Sequence, residues 1–174
     1  MKSGWTSLGR ASRVTLQLAA ADAGARRIRL RIVDVQGKPE LAVRELRRLA
    51  RSGVHVVIGP QSSAEVRAVR AAASSLGVVV VSQGSTAHSL AISGDNVFRV
   101  VPDDRREGEA LVALLNRDRV KTVVPAWRND PGNAGLVTSV RSRFRARGGR
   151  VSAGVRYATT ETAFTTRSPS CARR

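Results

Sequence analysis

Residues 54–70 read VHVVIGPQSSAEVRAVR. The apolar run from Val54 to Ile58 stops at Gly59-Pro60, and two serines follow. From Ser63 onward, Val66, Val69, Ala73 and Leu76 recur at helical spacing. A strand over 54–59 therefore hands over directly to a helix over 63–76. Ser62 and Ser63 stand at that junction. Either they cap the helix, as serines at a helix start do, or they face something bound there.

Working outward, the same handover recurs. Residues 7–21 predict a helix with Leu8, Ala11, Leu18 and Ala19 on one face and Gly24 as its stop. IRLRIVDV, residues 28–35, alternates apolar residues with arginine and predicts a strand near a sheet edge. Pro39 suits the first turn of a helix whose stripe is Ala42, Leu46 and Leu49, with Gly53 as its stop. Residues 77–82, GVVVVS, are apolar enough for a strand covered on both faces. QGSTAHSL is a loop with one helical turn over 86–90, followed by a strand over 97–102. DDRREGEALVALLNRD is a helix whose early acidic residues favour the dipole. VKTVVPAW is a strand, residues 131–148 carry a helix with Leu136, Val140 and Phe144 inward, and residues 150–158 form a last strand. This alternation with short connections predicts an α/β fold of parallel sheets flanked by helices. Beyond residue 164 the periodicity ends, and the Thr- and Arg-rich tail is expected to be disordered.

The chain has 174 residues, 42 % of them apolar, which is a globular composition. Aromatics are only 3 %, so Val, Leu, Ile and Ala must build the core. Its net charge is +17, from 30 Lys and Arg against 13 Asp and Glu. Such a charge favours weak, salt-sensitive binding to polyanions. The arginines are spread opposite the apolar stripes without a cluster or a nucleic-acid motif, so no specific nucleic acid is expected. Cys171 is the single cysteine, which excludes an internal disulfide and a cysteine-based metal cluster. No apolar run spans a membrane, and the start lacks the apolar middle of a signal peptide.

In an open parallel sheet, ligands bind beyond the C-terminal ends of the strands. Three loops lie there: GPQSSAE at 59–65, SQGSTAHS at 82–89 and WRNDPGNAG at 127–135. Ser62 and Ser63 place hydroxyls and free N–H groups together in the first, which suits a carboxylate. Ser85 and Thr86 add hydroxyls in the second, and Gly84 lets the backbone approach a partner closely. Enzyme signatures are weak. GPQSSAE lacks the lysine and second glycine of a P-loop and is not a nucleophile elbow. His55 is expected to be structural and His88 solvated. No catalytic set, metal site or cofactor is expected.

SLGRASRVTLQLAAAD, IVDVQGKPELAVRELRRLARSGVHVVIGPQSSAEVRAV, GVVVVSQGSTAHSL, DNVFRVVPDDRREGEAL and WRNDPGNAGL follow one another as in type I periplasmic binding proteins. Over roughly residues 3–164 the chain resembles their branched-chain amino acid and amide branch, receptors of ABC transporters. The resemblance implies two α/β lobes, with an amino-acid-like ligand in the cleft and a permease as partner. It also implies an extracytoplasmic location and no enzyme activity. It makes residues 1–102 lobe I, 103–160 the start of lobe II and 161–174 a disordered tail. It implies that Ser63 holds the ligand carboxylate, that Thr86 does the same with its hydroxyl and N–H, and that the Gly84 carbonyl takes the ammonium. Ser62 and Ser85 flank them and complete the expected ligand-binding set. Gly132 stands where an aromatic residue is common. A ligand-sensing domain of the same fold in a receptor or regulator is the alternative.

Relative to the family the chain looks truncated. Lobe I is nearly complete but lacks its first, central strand, and lobe II is partial. The expectation is that this chain alone is unstable and binds ligand without useful affinity.

Overall fold

The computed structural model describes residues 6–24 and 28–161, so the expected disorder of the tail after residue 164 lies outside the described residues. In chain order the elements are α1 (Thr6–Asp22), α2 (Pro39–Arg51), β1 (Val56–Ile58), α3 (Ser63–Leu76), β2 (Val79–Ser82), a 3-10 turn (His88–Leu90), β3 (Val97–Arg99), α4 (Asp104–Arg117), β4 (Thr122–Val123), β5 (Ala126–Arg128), α5 (Pro131–Ala146), β6 (Arg150–Val151) and β7 (Val155–Tyr157). The α/β pattern and its parallel pairing are as the sequence predicts.

β1, β2 and β3 form one parallel sheet in that order. Val56 pairs with Val79 and Ile58 with Val81, while Val81 pairs with Phe98. Parallel neighbours need a crossover connection, which α3 supplies between β1 and β2 and the longer loop with the 3-10 turn supplies between β2 and β3. One face of the sheet packs on α2 and α3. There Ala42, Leu46, Val69, Ala72, Ala73, Val78 and Val80 make a buried cluster, with Val57 and Val97 against it. The predicted stripes of α2 and α3 supply most of it; Leu76 is the exception and lies 41 % exposed.

The opposite face is open. Val56, Ile58, Phe98 and Val100 are 58, 48, 57 and 69 % exposed. The expectation that residues 77–82 are covered on both sides holds for Val80 but not for Val79 and Val81, which are half-buried.

Two further expectations fail locally. Residues 28–35 form no strand. Alternation decides which face a side chain takes, but a strand also needs a hydrogen-bonding neighbour. The sheet runs β1-β2-β3, with no described strand beyond β1 to pair with this segment. Ile28, Leu30 and Ile32 stay 43, 37 and 51 % exposed, and Val35 alone reaches the core. The helix at 7–21 forms, but it buries none of its residues, so Leu8 and Leu18 face solvent. Its link to the sheet is polar: Gln61 and Gln83 both donate to the Ser12 hydroxyl, at 2.6 and 3.1 Å.

In the second half, α4 and α5 pack over two short parallel pairs, β4 with β6 and β5 with β7. The sequence suggests one continuous strand on each side. Pro125 breaks the first, since it lacks the N–H a ladder needs. Gly154 lies opposite it, with φ of 71°, where any side chain would run into the Pro125 carbonyl. Val112, Phe144 and Val151 form a core of their own there, with Val140 packed against it.

Candidate ligand site between the strand-end loops

The loop after β1 carries a capping box. The Ser62 hydroxyl accepts from the Glu65 N–H, and the Glu65 carboxylate takes the Ser62 N–H and hydroxyl, the latter at 2.6 Å. Both hydrogen-bonding functions of Ser62 are thus used within the helix start. Among the first helical N–H groups, those of Ser63 and Ala64 are left outside this box.

Ser63 is turned the other way. Its hydroxyl oxygen is 3.1 Å from the Ser85 hydroxyl and accepts the Ala87 N–H at 3.2 Å. Ser85 is fully buried, and its N–H goes to the Ser82 hydroxyl, which itself donates to the Pro60 carbonyl at 2.6 Å. The two loops are therefore stitched together behind Ser63. Gly84 fits the same join. A Cβ there would lie 3.0 Å from the Gln61 carbonyl oxygen, so the partner its backbone approaches is the neighbouring loop.

The third loop closes over these residues. Asp130 caps α5 by accepting the Asn133 N–H at 3.0 Å, and Arg128 donates to it at 2.6 Å. Burial alone would raise the Asp130 carboxyl, but these bonds and the arginine charge outweigh it and hold it below the ordinary carboxylate range. The cap sets Gly132 against the first two loops. A Cβ at Gly132 would stand 3.2 Å from the Thr86 hydroxyl and 3.3 Å from the Ser63 hydroxyl. Both hydroxyls thus converge on one point at the start of α5, where an added Cβ would already be in tight contact.

Sequence reasoning missed Asp104, the first residue of α4. It is 1 % exposed, and its N–H donates to the Thr86 carbonyl at 2.9 Å. One carboxylate oxygen faces the His88 N–H at 3.4 Å and presses on Gly135, where any side chain would collide with it. The other is buried without a hydrogen-bond partner. Burial raises the Asp104 carboxyl; hydrogen bonding from the Thr86 hydroxyl works against that, and Glu107 and Asp103 add to it. A doubled Asp at the start of a helix is the only sequence signal, and it reads as dipole chemistry alone.

His88 is not merely solvated. Its Nδ1 lies 2.7 Å from Asp103, the N-cap of α4. His55 is exposed, just before β1. Among the described residues, no three His, Cys, Asp or Glu side chains gather as a metal would need. A cavity of about 710 Å³ lies elsewhere, between the 3-10 turn, β3 and α4, and none of the five expected ligand residues lines it.

A family model described as "Periplasmic binding protein" matches residues 1–167. Among solved structures, the branched-chain amino acid transporter substrate-binding protein LivJ of Streptococcus pneumoniae, in complex with isoleucine, superposes with a TM-score of 0.84 at 22 % identity, over 94 % of this chain and 49 % of its own. Leucine binding protein LivK of Thermotoga maritima gives 0.81 at 24 %, over 94 and 48 %. A solute binding protein of Rhodopseudomonas palustris, in complex with 3,4-dihydroxy benzoic acid, gives 0.83 at 15 %, over 91 and 45 %. An uncharacterized protein of Methanocaldococcus jannaschii is 25 % identical over 128 residues, 70 % of this chain and 31 % of that protein. The chain therefore spans less than half the length of each of these proteins. At such identities the structural likeness shows the fold alone.

Proposed function

The chain belongs to the periplasmic binding protein family, and from that membership we propose that it binds a small amino-acid-like solute outside the cytoplasmic membrane for an ABC transporter permease. In this reading residues 1–102 belong to one lobe and 103–160 to a second, with the ligand between them. The separate sheets and the separate Phe144 core support that division.

The observation that carries the reading is the convergence of the Ser63 and Thr86 hydroxyls on the start of α5. Ser63 lies at a helix N-terminus, where backbone N–H groups and a hydroxyl together suit a carboxylate. Thr86 and the Gly84 backbone sit on the adjoining loop. Ser62 and Ser85 stand behind them, the first capping α3 and the second bracing Ser63. Membership in a binding-protein family, with neighbours named for isoleucine and leucine, supports the solute class.

Amide-resolved NMR of the full chain with millimolar L-leucine tests this. Shifts at Ser63, Ala64 and Thr86 are expected, and Ser63→Ala should weaken binding about tenfold, the effect of losing a hydrogen bond to a charged group. No perturbation by leucine, by other amino acids or by small carboxylates would sink the proposal.

A further inference from the structure

The cavity of about 710 Å³ between the 3-10 turn, β3 and α4 has the size of a small-molecule site and two kinds of lining. Part of it is apolar. Leu90 belongs to a buried cluster with Val66 and Ala87, and Val97 packs against that cluster, so this part is held firmly. Ile92 and Phe98 extend it and are 41 and 57 % exposed. The rest is charged, with Arg99, Arg105, Arg106 and Arg143 against Asp103 and Glu109. Two carboxylates do not balance four arginines, and Asp103 is already engaged. It accepts the Arg105 and Arg106 N–H groups and lies 2.7 Å from His88. Its distance to the Arg105 side chain is 3.5 Å, as is that of Glu109 to Arg106. Neither Arg99 nor Arg143 has a carboxylate partner among the described residues. Arg99 donates to the Ala87 and Ser85 carbonyls at 2.7 and 3.4 Å, neutral acceptors that fix its place and leave its charge. Arg143 donates to the Ser139 hydroxyl at 3.4 Å, which is neutral too.

We propose that this cavity is a second binding site, for an organic anion with an apolar chain, separate from the strand-end loops. Arg143 takes the carboxylate, because a planar guanidinium matches its two oxygens, and Arg99 adds uncompensated positive charge. The chain lies along Ile92, Val97 and Phe98 and removes their apolar surface from water. The cavity opens to solvent, so salt screens the attraction. Its lining comes from the 3-10 turn and β3 before residue 102 and from α4 and α5 after it, so the bound anion bridges the two halves. The proposal is independent of the solute-binding reading above.

Octanoate titrated into the full chain, followed by amide-resolved NMR, tests this. Shifts are expected over residues 90–98 and 105–109. Affinity should fall with added salt and rise about two- to fourfold per methylene from hexanoate to octanoate. Octylammonium, the same chain with the opposite charge, should leave these residues unshifted. The whole chain carries a net charge of +17, so general attraction needs its own control. Arg143→Gln should weaken octanoate about fivefold or more. Arg47→Gln, at an exposed position of α2 that does not line the cavity, should change it less than about twofold. Ile92→Ser should weaken octanoate about threefold and tests the apolar part even if Arg143→Gln fails to fold; thermal melts report folding in each. Equal binding of octylammonium, equal losses in the two arginine variants, or no binding at millimolar octanoate would overturn the assignment. So would shifts at Ser63, Ala64 and Thr86 without shifts over 90–98.

Discussion

Two adjacent serines do different work because of where the helix starts. Ser62 is the N-cap and Ser63 the first helical residue, so the side chain of one folds back on Glu65 and that of the other points to the next loop. Ser62→Ala should lower stability by about 1 kcal/mol, the usual cost of a lost serine cap, as read by chemical denaturation. Ser63→Ala should act on ligand affinity and also cost stability, because it leaves the buried Ser85 hydroxyl and the Ala87 N–H without their acceptor. Gly135 offers a second residue-level test. An alanine there would drive a methyl into the Asp104 carboxylate. Overpacking of this kind costs about 1–3 kcal/mol, with up to about 1 kcal/mol returned by alanine's better helix propensity. A Gly135→Ala chain as stable as its parent would show that α4 and α5 do not approach so closely. The Ser63 and Ser62 positions were legible in the sequence, because a strand running into Gly-Pro-x-Ser-Ser marks a helix start. Asp104 was not, since burial under a glycine of a distant helix leaves no trace in local pattern.

At the scale of elements, α5 shows how a cap positions a site. Asp130 fixes the first turn, and that turn carries Gly132 to Ser63 and Thr86. Its carboxyl lies below the ordinary range when folded, so its contribution is present at neutral pH and fades as pH falls through the folded value. Asp130→Ala should cost about 1–2 kcal/mol near pH 7, from the cap and the Arg128 bond together. The gap to the parent should close in acid, below the ordinary carboxylate range; a gap that persists there would mean packing rather than charge is responsible. The helices themselves were readable, because apolar spacing and Pro39, Gly53, Asp103 and Asp130 mark their ends in the chain. The segment 28–35 was readable only as a pattern. Its alternation is present, but hydrogen-bond partners for a strand are supplied by other parts of a molecule, and none stands beside it among the described residues.

Among the described residues, two buried clusters lie around the first sheet and one under α4 and α5. Phe144→Ala should cost about 3–5 kcal/mol of local stability. Hydrogen exchange should then rise across α4, α5, β4 and β6 and change little in α2 and α3; a uniform rise would mean that the two halves unfold together and that the boundary near residue 102 is not a folding boundary. Val56, Ile58, Phe98 and Val100 are exposed on one face of the sheet, an arrangement expected to favour self-association. Light scattering should fall when Phe98 and Val100 are replaced by lysine. By itself, the sequence determined the α/β alternation, the helix ends, the parallel pairing and the loops that carry Ser63, Gly84 and Thr86, because periodicity and turn chemistry are local properties. Only the tertiary structure decided which apolar faces are covered, which hydroxyl of each loop turns inward, and that Asp104 and Gly132 meet them. Burial and hydrogen-bond polarity are set by neighbours far away in the chain, and no local pattern encodes them.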